Sequence, residues 1–210
     1  MVKNVFATKW GIVLTGGIIG ILAALLQLWG NPANMGICVA CFVRDATGAL
    51  GLHRAAVVQY LRPEILGFVL GSFVAAYLFK EYRPRAGSAP LVRFVLGFFS
   101  MIGALVFLGC PWRALLRLAG GDWNALLGLL GLAVGIWIGT IFLKKGFNLG
   151  PARKTYSAVG WIFPLIMAGL LVIMLLNPQV AGQDKNGVLF YSIEGPGSLH
   201  APLIISLVVG

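Results

Sequence analysis

Long apolar runs separated by short polar stretches are the dominant pattern of this chain. A bilayer core about 30 Å thick needs about 20 apolar residues in a helix that rises about 1.5 Å per residue. Five runs meet or approach this length, at residues 10–29, 64–79, 91–109, 124–143 and 157–176. The pattern therefore predicts an all-α, polytopic helical membrane protein with glycine-rich transmembrane helices.

A sixth apolar run begins at residue 201 and reaches residue 210, where the sequence ends. Ten helical residues rise only about 15 Å, which is half of the bilayer core. We interpret this run as a truncated span, and residues 1–210 as a single transmembrane domain that forms the N-terminal part of a longer protein. The alternative is a short half-helix that is buried in the bundle.

The composition narrows the class of protein further. Of the 210 residues, 59% are hydrophobic, 10% are charged and 29 are glycine, whereas a soluble domain has about 25% charged residues and about 7% glycine. This composition excludes a water-soluble domain, and the high hydropathy excludes a disordered chain. The net charge of +10 would indicate nucleic acid for a soluble protein. In this chain we expect the lipid bilayer as a partner, and no nucleic acid.

The basic residues indicate an orientation in the membrane. If successive loops alternate between the two sides, ten of the sixteen Lys and Arg lie on the side of the N-terminus, and five of the six acids lie on the other. The positive-inside rule then predicts a cytoplasmic N-terminus. The first side carries Lys3, Lys9, Lys80, Arg83, Arg85, Arg93, Lys144, Lys145, Arg153 and Lys154. The second side carries Arg44, Arg54, Arg62, Arg113, Arg117 and Lys185, with the acids Asp45, Glu64, Asp122, Asp184 and Glu194.

Two segments on the second side are too apolar for loops and too short for spans, at residues 31–45 and 110–120. Residue 110 lies about 25 Å of helix rise beyond Arg93, which is still within the hydrocarbon depth. Broken backbone at that depth is tolerated only inside protein or along a cavity. Both segments are therefore predicted to be re-entrant half-helices, with interfacial amphipathic helices as the alternative.

The three cysteines of the chain, Cys38, Cys41 and Cys110, all lie in these two segments. Pro111 suits the first position of a helix, which predicts Cys110 at the N-cap. Free backbone N–H groups and the positive end of the helix dipole meet at such a position, so it favours anions and thiolates. The cysteines are therefore candidate substrate contacts.

Arginines accompany the cysteines at helical spacing. Arg44 follows Cys41 by three residues, while Arg113 and Arg117 follow Cys110 by three and seven. Arginine at membrane depth is a functional-site hypothesis by default. The shared Cys-x-x-Arg pattern is also a weak internal repeat, and many transporters bind substrate between repeats. We predict that these three arginines and the three cysteines contact a transported solute.

Other interpretations of the cysteines stay open. Cysteine is often a small buried hydrophobe, and Cys38 and Cys41 have the spacing of a redox pair. A structural zinc site needs four ligands, and only His53 lies nearby in the sequence. The sequence contains no P-loop, Rossmann fingerprint, catalytic triad or metal-ligand cluster. We therefore expect no enzyme activity, no cofactor and no bound metal.

The block Gly109-Cys110-Pro111, followed by Arg113 and by Arg117-Leu-Ala-Gly-Gly-Asp122, resembles the YeeE/YedE family of bacterial membrane transporters. Residues 34–45 and 48–54 look more narrowly like its YedE branch, which is regarded as transporting selenium. The wider family includes thiosulfate importers, in which intramembrane cysteines pass the anion along without ATP. The resemblance implies an inner-membrane location and gives this role to Cys110 and, through the paired spacing of the narrower branch, to Cys38 and Cys41.

The first functional hypothesis is a transporter that moves a small sulfur- or selenium-containing solute, such as a selenium compound or thiosulfate, into the cytoplasm. We expect that solute and a soluble sulfur or selenium carrier protein as its partners. The first alternative is a membrane thiol–disulfide oxidoreductase that uses Cys38 and Cys41. The second is a non-catalytic membrane subunit whose glycine seams, at Gly67/Gly71 and at Gly131/Gly135/Gly139, pack helices against each other or a partner.

Overall fold

The computed structural model describes residues 8–33, 35–107, 109–176, 189 and 200–210. Lys3, Asn34, Asp184, Lys185 and Glu194 lie outside these residues, so their predicted positions are not described. The same holds for the polar connection at residues 177–199, apart from residue 189.

Helices dominate the described part of the chain. The helices are α1 (Lys9–Leu28), α2 (Val39–Ala49), α3 (Pro63–Leu78), α4 (Pro90–Val106), α5 (Pro111–Ala119), α6 (Asn124–Lys144), α7 (Ser157–Leu176) and α8 (Leu203–Val209). A short 3-10 helix, Ala56–Val58, precedes α3, and two short strands, β1 (Arg85–Ala86) and β2 (Arg153–Lys154), lie in loops. Within the described residues, four stretches are long and apolar enough to cross a bilayer, namely α1, α4 taken together with α5, α6 and α7. The protein is an all-α, polytopic membrane protein, as predicted.

The helix bounds agree with most of the apolar runs. Helices α1, α6 and α7 coincide with runs 10–29, 124–143 and 157–176 to within one residue. Helix α3 has only 16 residues, about 24 Å of rise, and is shorter than a bilayer core. Helix α4 ends at Val106, before the expected residue 109, and α2 continues to Ala49, beyond the expected residue 45.

Local sequence signals set several of the helix ends. The Thr8 hydroxyl caps α1 by accepting a hydrogen bond from the Gly11 N–H at 3.1 Å. A proline opens each of α3, α4 and α5, since its missing N–H would have no helical partner at that position. After α6, the chain turns at Gly146 with a φ of 94°, a left-handed conformation that glycine adopts without strain.

The described apolar core lies between α2, α3 and α7. Its buried side chains include Phe42, Leu66 and Met167. Helix α8 packs along α3 so closely that a Cβ at Gly67 would lie 2.3 Å from the Leu207 carbonyl oxygen. Glycine at position 67 therefore permits this helix contact, as the seam prediction expected. The other predicted member of the seam, Gly71, has open space around it, since a Cβ there would meet no atom within 4 Å.

Helices α4 and α6 are almost entirely unburied in this chain. Helix α4 has no buried residue and α6 buries only Ala125. A Cβ built at Gly131, Gly135 or Gly139 would meet no atom within 4 Å. Within the described residues, this second glycine seam therefore has no packing partner, contrary to the expectation of a helix contact there.

Two basic loops meet at one end of the helices. Strands β1 and β2 pair antiparallel, with Arg85 opposite Lys154 and Ala86 opposite Arg153. The Tyr82 hydroxyl also donates a hydrogen bond to the Ser157 carbonyl at 2.7 Å. The α3–α4 and α6–α7 connections therefore lie on the same side, as the alternation of loops requires.

Candidate functional site

The three cysteines, distant in sequence, form one buried cluster together with Met35. The Cys38 Sγ lies 2.8 Å from the Cys41 Sγ and 3.7 Å from the Cys110 Sγ. All three are free thiols. The structure thus brings together residues from the two segments that the sequence analysis singled out, although 72 positions separate Cys38 from Cys110.

Two of the thiols stand at helix N-termini. Cys110 is the N-cap of α5, which confirms that prediction. Cys38 is the N-cap of α2, and its Sγ accepts a hydrogen bond from the Cys41 N–H at 3.4 Å. The sequence analysis did not assign this second cap. The N-termini of α2 and α5 therefore converge, and each contributes a partial positive charge. Backbone N–H groups at these two termini, such as those of Cys41 and Val39, already donate to the thiol sulfurs.

A close contact with α1 holds the segment before α2 in place. A Cβ at Gly36 would lie only 2.3 Å from the Ala23 carbonyl oxygen, so the backbone approaches α1 where no larger residue fits. The Asn31 side-chain amide donates to the Gly36 carbonyl at 3.1 Å, and its oxygen accepts from the Ala201 N–H at 2.7 Å. This bridging amide ties the thiol-bearing segment to the start of α8.

Arg113 is the predicted arginine that reaches the thiols. Its Nη1 lies 3.4 Å from the Cys41 Sγ. Its Nε is buried and has no hydrogen-bond partner among the described residues. A Cβ at Gly109 would lie 2.7 Å from the Arg113 Cδ, so glycine there leaves room for the side chain to fold back over the N-terminus of α5.

The structure does not bring Arg44 and Arg117 into hydrogen-bond contact with a thiol. Arg44 donates from Nε to the neighbouring Asp45 carboxylate at 2.7 Å. Arg117 donates to Asp122 at 2.8 Å and to the Phe107 carbonyl at 2.9 Å. Helical spacing placed these arginines near the cysteines, but a carboxylate close in sequence offers each of them a stronger partner.

A buried charged network beside the thiols was missed by the sequence analysis. Arg62 donates from Nε to Asp45 at 2.8 Å and from Nη1 to Glu64 at 3.4 Å, and all three side chains are at most 1% exposed. From the sequence, these three residues were counted only as charges on the second side of the membrane, and their burial and pairing were not predicted. The signal that could have found them is a cation and an acid flanking Pro63 at the start of an apolar run.

An apolar cavity of about 420 Å³ lies between α4, α5 and α6. Gly109 and Pro111, the two neighbours of Cys110 in the chain, line it together with Gly103, Phe107 and Gly128. The cavity therefore reaches the backbone on both sides of Cys110, although none of the three thiols is among its lining residues. No group of three or more His, Cys, Asp or Glu in the described part of the chain is arranged to hold a metal ion.

These features define a class: a polytopic helical membrane protein with a buried thiol cluster at two helix N-termini, beside an arginine. Sequence comparison finds similarity to an L-asparagine permease of Salmonella typhimurium, 30% identical over 194 residues. The match covers 79% of this chain and 37% of the permease, so the chain spans little more than a third of that relative's length. No family model matches the chain, and no solved structure matches it.

Proposed function

We propose that this chain is part of a membrane transporter that passes a small sulfur- or selenium-containing anion along Cys110, Cys38 and Cys41. The observation that carries the proposal is the convergence of two helix N-termini and Arg113 on three buried thiols. The similarity to a permease supports transport in general. The resemblance to the YeeE/YedE family at Gly109-Cys110-Pro111 supports a sulfur or selenium cargo.

The electrostatics of the cluster favour an anion. Two helix N-termini that face each other repel, since each carries about half a positive charge. Arg113 adds a full charge, and its buried Nε has an unused donor. An anion between these groups would relieve the repulsion, and it would accept hydrogen bonds from N–H groups that otherwise donate to the thiol sulfurs, as anions do at helix N-termini.

The thiols favour sulfur or selenium over oxygen as the contacting atom. A thiol is a weak S–H donor and a soft, polarizable group, so it suits the terminal sulfur of thiosulfate or a selenium atom. Met35 adds a thioether to the same cluster. Asparagine, the substrate named for the relative, is a zwitterion without net negative charge and has no sulfur or selenium atom for the thiols to contact.

We place the joined basic loops in the cytoplasm of a bacterial inner membrane, with the N-terminus on the same side. The pairing of β1 with β2 supports this arrangement, because it holds Arg85 and Lys154 at one end of the helices. The thiol cluster then lies toward the opposite side, where an imported anion enters. Helices α2 and α5 are the proposed re-entrant half-helices.

The experiment is uptake of radiolabelled thiosulfate, selenium compounds and asparagine by cells that express the full-length protein. Cys110→Ser keeps a hydroxyl but removes the polarizable thiol, so we expect loss of sulfur or selenium uptake at normal membrane abundance. Arg113→Gln should also reduce uptake strongly, whereas its matched control Arg117→Gln, on the same helix, should have a small effect. Unchanged uptake in Cys110→Ser contradicts the proposed route, and selective asparagine uptake contradicts the proposed substrate class.

One observation favours a second candidate function. The Cys38 and Cys41 sulfurs lie 2.8 Å apart, close enough for a small movement to join them in a disulfide. A membrane thiol–disulfide oxidoreductase would use this pair. Quinone-dependent oxidation of a dithiol substrate that is lost in Cys38→Ser, with anion uptake absent from the wild type, would favour the enzyme.

A further inference from the structure

The Glu64 carboxylate has one oxygen without a hydrogen-bond partner among the described residues, and Arg62 lies between this carboxylate and the thiol cluster. Glu64 is 1% exposed. Its Oε1 receives two long contacts of 3.4 Å, from Arg62 Nη1 and from the Asn31 amide. Its Oε2 is buried and has no partner among the described residues. A buried ionised carboxylate with so few donors is costly, and taking up a proton is the usual way to lower that cost.

Arg62 connects Glu64 to the thiols. Its Nη2 lies 4.0 Å from the Met35 Sδ, and Met35 packs against the three cysteines. Its Nε is held by Asp45 at 2.8 Å, so the guanidinium stays in place while its Nη groups face Glu64 on one side and the cluster on the other. An anion at the thiols and an ionised Glu64 therefore share the same counter-charge.

We infer that Glu64 is a proton-binding site whose occupancy is coupled to anion binding at the thiol cluster. This inference rests on the proposed function and adds the means of energising it. An anion bound at the thiols weakens the positive potential that Arg62 provides at Glu64. The ionised Glu64 carboxylate then loses part of its stabilisation and takes a proton from solvent. By linkage, a proton on Glu64 raises the affinity for the anion by the same factor. An inward proton gradient would then drive anion entry.

Several other charged or titratable groups lie near Glu64 or the thiol cluster, and the experiment has to distinguish their effect on the pH dependence from that of Glu64. Asp45 on α2 is paired with Arg44 and Arg62, and Tyr60 lies under the Arg62 guanidinium at 4.8 Å from the ring centroid. His200, before α8, interacts electrostatically with Glu64. Cys41 and Cys110 could also titrate when an anion binds.

The test measures binding of radiolabelled thiosulfate to the full-length protein in nanodiscs, from mildly acidic to mildly alkaline pH. Thiosulfate stays fully ionised across this range. For wild type we expect the affinity to fall with rising pH by up to about tenfold per unit, the limit for one coupled proton. We also expect thiosulfate to cause proton uptake from a weakly buffered medium.

Variants identify the group that takes the proton. Glu64→Gln mimics the protonated acid, so it should bind thiosulfate at the low-pH affinity at every pH and take up no proton. Glu81→Gln, at an exposed acid, and His200→Gln should behave like wild type. If Glu64→Gln keeps the pH dependence, or His200→Gln loses it, the inference is wrong.

The wild-type measurements separate this inference from the proposed function. Thiosulfate binding with no pH dependence and no proton uptake contradicts the role of Glu64 and leaves the anion site intact. Absence of thiosulfate binding at every pH contradicts both. Should Glu64→Gln fail to fold, Glu64→Asp, which keeps an acid at this position, decides the outcome: it should shift the pH midpoint of the proton uptake, and an unshifted midpoint would assign the proton to Cys41 or Cys110 and contradict the inference.

Discussion

Two apolar helices of this protein, α3 and α6, differ in how much of their surface other parts of the protein bury. The first turn of α3 is fully buried, with Glu64, Ile65 and Leu66 inside the protein. Helix α6 is as apolar but buries only Ala125 of its 21 residues. In a membrane, an apolar surface can face lipid without the penalty it would have in water. Between these two regions, the buried one is marked by an acid and a close-packed glycine, Glu64 and Gly67, whereas hydrophobicity does not distinguish them.

We expect the largest loss of stability from a substitution that breaks the buried ion pairs of Arg62. Asp45→Ala leaves Arg62 buried without its nearest carboxylate, and breaking a buried ion pair costs about 3–5 kcal/mol. We expect a large drop in thermal stability in detergent. Asp122→Ala, which removes the surface partner of Arg117, is the matched control and should change stability little. Equal effects would show that the buried network has no special role.

The next largest effect is the difference in stability between two leucine-to-alanine variants, one on α3 and one on α6. Leu66 on α3 is 0% exposed and Leu127 on α6 is 70% exposed. Leu66→Ala leaves a cavity and should lower the free energy of unfolding by about 2–5 kcal/mol, while Leu127→Ala should have a much smaller effect. A large loss from Leu127→Ala would mean that protein, and not lipid, covers α6.

Two glycine-to-alanine substitutions, one on α3 and one on α6, test the same difference in burial. Gly67→Ala would force a Cβ into the Leu207 carbonyl, and overpacking of this kind costs about 1–3 kcal/mol. Gly135→Ala meets open space and should be neutral or slightly stabilising. Denaturant titration of both variants checks the difference. Strong destabilisation by Gly135→Ala would show that another protein segment packs on this seam.

The smallest effect concerns the ion pair between Arg117, in the last turn of α5, and Asp122, in the loop that follows. The hydrogen bond from Arg117 lowers the pKa of Asp122 below its usual value. Because the folded pKa is the lower one, the pair stabilises the protein above the unfolded pKa and loses this contribution as the pH falls through the folded pKa. Arg117→Gln should raise the Asp122 pKa, which carboxyl NMR can measure. An unchanged pKa would contradict the pairing.

Local sequence patterns predicted the parts of the fold that depend on neighbouring residues. The bounds of α6 and α7 follow from uninterrupted apolar runs, and the Cys110 cap follows from the adjacent Pro111. These features need only the hydrophobic length and the geometry of proline, and both can be read along the chain.

The tertiary part of the site could not be predicted in this way. The contact of Arg113 with Cys41 joins residues 72 positions apart, and the spacing on α5 gave no direction for the side chain. The same spacing favoured Arg117, which Asp122 binds instead. Burial of Glu64 depends on α8 and Asn31, which come from distant parts of the sequence.

Protection of the thiols by substrate tests the central claim most directly. In native membranes that contain the wild-type protein, a small thiol reagent should modify Cys110 at a measurable rate, quantified by mass spectrometry of the digested protein. We expect thiosulfate to slow this modification at concentrations that support uptake, and sulfate at equal ionic strength to leave it unchanged. Modification that is insensitive to thiosulfate, or that occurs only after denaturation, would contradict a route for the anion along these cysteines.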